Sequence, residues 1–219
     1  MSGPAFDHVV LAAGPDGLTA TAQQVAARVG GTARPGGSHP TYGTRNAVVA
    51  LEHGYVEVVA VEDPDLAAGS PFGSVVARRC ADGGGWVGWA VAVDDLGPVV
   101  RRLGLTSVPG GRTRPDGVRL GWEQAGVETL AAVPWLPFFL TWRVPADLHP
   151  AAGGPAGVTV AALVAAAGPG ATDGSDAADR LHAWLGGEPP VPLSWAPAAD
   201  RTGLLAVVVR TPSGPVTLT

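Results

Sequence analysis

Phe6-Asp7-His8-Val9-Val10-Leu11-Ala12-Ala13 opens the chain, and Val87-Gly88-Trp89-Ala90-Val91-Ala92-Val93 echoes it some way downstream. Both stretches carry the short, β-branched, half-buried pattern of a strand. Each runs into a helix start, Asp16-Gly17 after the first and Asp94-Asp95 after the second. The echo predicts two copies of one unit. At the matching position the first copy has His8 and the second has Trp89. A space enclosed by the two units is therefore expected to be polar on one wall and aromatic on the other.

Working outward, the first helix places Leu18, Ala22, Val25 and Val29 on one face and stops at Gly30-Gly31. A Gly- and Pro-rich loop, Thr32–Gly43, follows. Strands Asn46–Leu51 and Tyr55–Val61 are joined by the tight turn Glu52-His53-Gly54. Residues 64–80 read as a connecting helix, with Ser70-Pro71 as a cap and first-turn proline for its second part. The second unit repeats the plan: strand 86–93, a helix through Leu103 stopped by Gly104, loop 105–112, the type I turn Arg114-Pro115-Asp116-Gly117, and strand Phe138–Trp142. A third, partial echo has strand 157–164, helix Ser175–Leu185 and strands near 191–195, 204–210 and 214–218. The expected fold is α+β, with paired βαβββ modules forming curved mixed or antiparallel sheets around a cleft. The boundaries read 5–63 for the first module, 64–84 for the linker helix, 85–143 for the second module and 156–219 for a C-terminal β-α-β-β extension.

Composition narrows the partners. Of 219 residues, 46% are hydrophobic and 15% charged, which fits a packed domain and not a disordered chain. The 32 Gly and 21 Pro are spread among apolar runs, as turns are. The net charge is −5, all basic side chains are Arg, and no basic run occurs, so no nucleic-acid partner is expected. The apolar stretches near 158–168 and 204–209 are too short to span a bilayer. With no basic segment leading into an apolar one at the N-terminus, a cytoplasmic location and no membrane partner are expected. Cys80 is alone, which excludes an intrachain disulfide and a thiolate zinc site. Gly83-Gly84-Gly85 leads into a strand and is no phosphate loop, and no Gly-x-Ser-x-Gly elbow is present.

Taken in order, Asp7-His8-Val9-Val10-Leu11, Gly43-Thr44-Arg45-Asn46, Gly54-Tyr55-Val56-Glu57-Val58, Gly88 to Leu96, Arg114 to Gly117 and Pro137-Phe138-Phe139 resemble the vicinal oxygen chelate superfamily, which includes glyoxalase, bleomycin resistance protein and dihydroxybiphenyl dioxygenase, and within it the glyoxalase-like domain proteins. The resemblance covers roughly residues 5–143. It implies that each module supplies one metal ligand from its first strand and a Glu from its last, around an ion with open positions for two neighbouring substrate oxygens. Carried over by position, the first module offers His8 and Glu57, whereas the second offers Trp89 and Thr141. Two ligands fall short of the three that catalytic zinc sites keep and of the two-His-one-carboxylate iron set. No organic cofactor is implied, and a divalent metal only as a remnant on His8, Glu57 and His39. Because both modules lie in one chain, a monomer can form the cleft, and a homodimer remains compatible.

His8 and Glu57 stand in otherwise apolar strands, where an unpaired charge is expensive. They read as a metal-free acid/base pair, a remnant metal site, or a hydrogen-bonded pair of purely structural role. His39, in Gly36-Gly37-Ser38-His39-Pro40, is a candidate ligand-binding residue at the cleft mouth or an ordinary loop histidine. Asn46 offers amide contacts or a turn cap. Trp89, Trp122, Phe139 and Thr141 are the candidate lining of the second wall, with core packing as the alternative for the aromatic residues. Arg112, Arg114, Arg119 and Glu123 read as solvated charge, and His149 as exposed. Two functions follow: a glyoxalase-like enzyme of lyase, isomerase or dioxygenase type acting on a small, partly apolar oxygenated molecule, or a non-catalytic protein that sequesters a hydrophobic compound such as an antibiotic.

Overall fold

The two echoed stretches lie side by side in the computed structural model, which describes residues 3–168, 174–197 and 201–219. The first module comprises β1 (Ala5–Ala12), α1 (Gly17–Val29), β2 (Ala33–His39), β3 (Thr44–Ala50) and β4 (Tyr55–Val61). Two helices follow, α2 (Pro64–Ala68) and α3 (Pro71–Ala81). The second module comprises β5 (Gly85–Ala92), α4 (Gly97–Leu103), β6 (Val108–Thr113), β7 (Arg119–Ala125) and β8 (Phe138–Trp142). The eight strands close into a barrel in the order β1-β4-β3-β2-β6-β7-β8-β5. Within each module the first and last strands pair in parallel, and between modules β1 pairs antiparallel with β5. The opposite seam, β2 against β6, is held at Ser38 and Thr113. The cleft between the modules is thus the interior of the barrel.

Local signals explain most boundaries. Burial of Ala22, Val25, Ala26 and Val29 orients α1, and left-handed Gly30 ends it, with its N–H bonded to the Ala26 carbonyl. The expected connecting helix is broken at Gly69. Ser70 then starts α3, its hydroxyl accepting from the Gly73 N–H at 2.9 Å, with Pro71 in the first turn. The segments expected as loops at 32–43 and 105–112 contain β2 and β6. Each bears Pro-Gly-Gly, at Pro35-Gly36-Gly37 and Pro109-Gly110-Gly111. That tripeptide disguises a strand as a loop, yet its recurrence in both modules is the signal that could have revealed the pair.

Register decides which side chains face inward. In the β1–β5 pair, His8 lies opposite Ala90, and Trp89 lies opposite Val9. Cross-strand partners point to the same side, so Trp89 shares the outer face with Val9 and not the inner face with His8. Along β8, Phe138, Leu140 and Trp142 face inward while Phe139 and Thr141 face outward. The expectation that Trp89, Phe139 and Thr141 line the pocket is therefore corrected. Trp89 is fully buried outside the barrel, its indole N–H donating to the Trp135 carbonyl at 2.9 Å. Phe139 packs against Trp184, and the Thr141 hydroxyl donates to the Val93 carbonyl at 2.8 Å.

What covers that outer face is the C-terminal segment: β9 (Thr159–Ala166), α5 (Ser175–Leu185), β10 (Leu193–Trp195), β11 (Gly203–Thr211) and β12 (Gly214–Leu218), in a four-stranded sheet ordered β10-β9-β11-β12. Of the extension at 156–219, residues 169–173 and 198–200 lie outside the described residues. Leu163, Ala165, Leu204, Val207 and Val209 share one core with Val9, Leu11, Trp86, Trp89 and Trp135. At the connection, Gly154 sits so close to the Leu51 backbone that no Cβ fits there. Trp89→Ala is therefore expected to cost about 3–5 kcal/mol of stability through the cavity it leaves. Ligand affinity at folded protein should hold within about two-fold, as chemical denaturation and fluorescence titration together will read.

Candidate functional site

The inward-facing side chains of the two modules line a small pocket with a solvent-open mouth. The first module contributes His8 from β1, His39 from β2, Tyr55 and Glu57 from β4, with Tyr42 from the β2–β3 turn and Phe72 from α3. The second contributes Arg112 from β6, Trp122 and Gln124 from β7, and Phe138, Leu140 and Trp142 from β8. One wall is polar and the other mainly apolar, with Gln124 bonded into the network described below.

On the polar wall, a hydrogen-bonded chain fixes His8. Its Nδ1 lies 2.5 Å from Asp7 Oδ1. Asp7 is only 2% exposed. Burial pushes its carboxyl up, but hydrogen bonds from His149 and His8 outweigh that and hold it well below the usual carboxylate range. An ionised carboxylate can only accept, so His8 Nδ1 carries the proton and donates it. The second oxygen, Asp7 Oδ2, accepts from Trp142 Nε1 at 2.9 Å and contacts His149 Nε2 at 3.1 Å. His149 Nδ1 in turn accepts from the Ala151 N–H at 3.1 Å. With Nδ1 occupied as an acceptor, Nε2 is the protonated nitrogen of His149 and donates to Asp7. His149, expected to be exposed, is instead tied into the site by the loop leading to the C-terminal sheet.

The other nitrogen of His8, Nε2, faces Glu57 Oε2 at 3.7 Å. Tyr55 stacks on the imidazole with ring centroids 4.6 Å apart. Glu57 Oε1 accepts from Asn46 Nδ2 at 2.5 Å and lies 3.8 Å from His39 Nε2. His39 Nδ1 pairs with Thr44 Oγ1 at 3.1 Å. Burial lowers the His39 pKa to about 4, against the pull of Glu57 and with help from the Arg112 charge, so His39 is neutral at pH 7. Of the residues singled out from sequence, His8, Glu57, His39, Asn46 and Trp122 converge here. Tyr42, Gln124, Asp7, Arg112 and His149 join them without having been expected. Trp122 Nε1 donates to Gln124 Oε1 at 2.6 Å, and Gln124 Nε2 donates to Tyr42 Oη at 2.8 Å. Burial also pushes the Tyr42 phenol up to about 12, so it stays neutral.

The residues do not fit a divalent ion. Among the described residues, no group of three or more His, Cys, Asp or Glu side chains is arranged to hold one. By strand register, the positions that answer to His8 and Glu57 in the second module are Ala90 and Leu140: His8 pairs with Tyr55 and Val10 with Glu57, while Ala90 pairs with Phe138 and Ala92 with Leu140. Neither Ala90 nor Leu140 can ligate, and Arg112 adds a positive charge beside His39. The remnant set of His8, Glu57 and His39 thus lacks the second module's donors.

A barrel of two βαβββ modules around an interior pocket is the architecture of vicinal oxygen chelate proteins. A family model described as the glyoxalase-like domain matches residues 6–185, and the chain belongs to that family. Among solved structures, a hypothetical protein from Staphylococcus aureus superposes with a TM-score of 0.67 at 13% identity, over 98% of this chain and 84% of that one. That likeness is one of fold. Methylmalonyl-CoA epimerase from Mycobacterium tuberculosis aligns with a TM-score of 0.45 at 17% identity, over 67% of this chain and 90% of its own. The Streptomyces coelicolor methylmalonyl-CoA epimerase aligns at 0.47 and 18%, over 65% and 100%. No curated protein sequence matches the chain. No helix among the described residues is long and apolar enough to cross a membrane.

Proposed function

We propose that the barrel interior binds a small, partly apolar oxygenated molecule and moves a proton on it without a metal. The observation that supports this most is the Asp7–His8–Glu57 alignment. Asp7 holds the Nδ1 proton, which leaves Nε2 as the nitrogen that can gain or lose one, 3.7 Å from a carboxylate oxygen. Such a pair suits proton abstraction next to a carbonyl. The C–H bond breaks, its proton passes to Glu57 or His8, and its electron pair moves onto the carbonyl oxygen as an enolate. Return of the proton to the same carbon exchanges or inverts it. Where that carbon also bears a hydroxyl, the hydroxyl proton passes to the enolate oxygen and a proton returned to the former carbonyl carbon completes an isomerisation. Neither course needs an oxidant or reductant. His39, neutral and adjacent to Glu57, is positioned to donate or accept a hydrogen bond at the reacting group. Trp122, Phe138, Leu140 and Trp142 hold the apolar part.

Incubation of the metal-stripped protein in D₂O with hydroxyacetone, 2-oxobutyrate and 2-oxoisovalerate, followed by proton NMR, tests this reading. Deuterium is expected at the carbon next to the carbonyl of at least one of them. Glu57→Gln and His8→Ala should each slow that exchange by about 10²-fold or more. Absence of exchange with all three, or exchange unchanged in both variants, defeats the proton-transfer role. The apolar second wall favours the other reading, sequestration without turnover. It is distinguished by quenching of Trp122 and Trp142 fluorescence on binding while exchange is absent.

A further inference from the structure

Arg112 is a charged side chain that the proton-transfer reading leaves unused. Only 6% of it is exposed, and it lines the pocket beside His39. Ser38 and Thr113 pair antiparallel, which sets His39 and Arg112, one residue further along each strand, on the inner side of the seam. The Arg112 charge reaches far enough to depress His39 and to act on Tyr55. Yet among the described residues its Nε has no hydrogen-bond partner and no carboxylate forms an ion pair with it. Next to it, Gly36 leaves room that a Cβ would take from both Asn46 Oδ1 and Arg112 Nη1. Asn46 Oδ1 is likewise buried without a partner among the described residues.

A buried guanidinium with open donors is costly unless something pairs with it. The missing partner is best a planar anion, because the Arg fork matches a carboxylate through two parallel N–H···O bonds. We propose that Arg112 is the carboxylate anchor of the pocket, and that the ligand is a short-chain carboxylic acid with an oxygenated carbon beside the carboxylate. The carboxylate meets Arg112, the neighbouring carbon lies toward Glu57 and His8, and the short chain rests on Trp122, Phe138, Leu140 and Trp142. The small pocket favours a short acid over a bulky phosphate ester. This inference rests on the proposed binding role of the same pocket and names its ligand class.

Tryptophan fluorescence titration with 2-oxoisovalerate, its methyl ester and inorganic phosphate provides the test on the protein as it stands. The acid should bind at least ten-fold more tightly than the ester, and phosphate should bind more weakly than the acid. Arg112→Gln should erase the preference for acid over ester while leaving the ester's affinity within about two-fold, and Arg112→Lys should restore part of it. Equal affinity of acid and ester for the unaltered protein overturns the anchor while leaving the pocket's binding role intact. Stronger binding of phosphate, or an acid preference that survives Arg112→Gln, also overturns it. If neither acid nor ester binds, the binding role fails, and the anchor with it. The comparison on unaltered protein holds even where a variant does not fold.

Discussion

Replacing Asp7 by Ala is expected to lower the unfolding free energy by about 3–5 kcal/mol, the usual cost of breaking a buried charged network from one side. Three donors converge on this one carboxylate: His8 Nδ1, Trp142 Nε1 and His149 Nε2. Two of them, on His8 and Trp142, have little access to water once it is gone, and an unmet buried donor costs about 1–3 kcal/mol. Asp7→Asn should cost less, about 1–3 kcal/mol, because one amide oxygen can still accept. It should nonetheless release the orientation of His8, since the amide offers a donor where the imidazole needs an acceptor. Urea denaturation of both variants checks the order. A loss below about 1 kcal/mol for Asp7→Ala would mean that the network contributes nothing to the fold.

Stability should also fall in two stages on acidification. His39 is held neutral by burial, with its pKa lowered from 6.5 to about 4. The unfolded chain therefore takes up a proton between those values that the folded protein refuses. Stability tied to His39 is complete above pH 6.5 and is lost as the pH falls toward 4, by about 3 kcal/mol. Asp7 has the opposite charge type and a depressed folded pKa, so its contribution is present above its ordinary value of 3.8 and is lost below it. His39→Gln should flatten the upper stage and leave the lower one, whereas Asp7→Asn should do the reverse. Unfolding midpoints measured from pH 7.5 to pH 3 check both. An upper stage that survives His39→Gln would assign it to another group.

The polar wall was legible in the sequence because His8, Asn46 and Glu57 interrupt apolar strands, where only a partner or a pocket makes them tolerable. Their parity along β1, β3 and β4 follows from the period of two. The second wall was misread for a reason of register. The local echo aligns His8 with Trp89, but the antiparallel ladder pairs His8 with Ala90, and a shift of one residue turns every side chain to the other face. The same step moved Phe139 and Thr141 out of the pocket and Phe138, Leu140 and Trp142 into it. Pairing between strands so distant in the chain leaves no local trace. Arg112 and His149 were missed because β6 looks like a loop and because His149 lies in the connection to a sheet whose docking the sequence does not announce.

The proposed chemistry depends on which nitrogen of His8 carries its fixed proton. Nitrogen-15 NMR of the histidine-labelled, metal-stripped protein across a pH titration reads this directly. Neutral His8 should hold its proton on Nδ1, and one equivalent of Zn²⁺ should leave the His8 and His39 signals in place. A neutral His8 protonated on Nε2, or a joint shift of His8 and His39 on adding Zn²⁺, would contradict a metal-free pocket organised by Asp7.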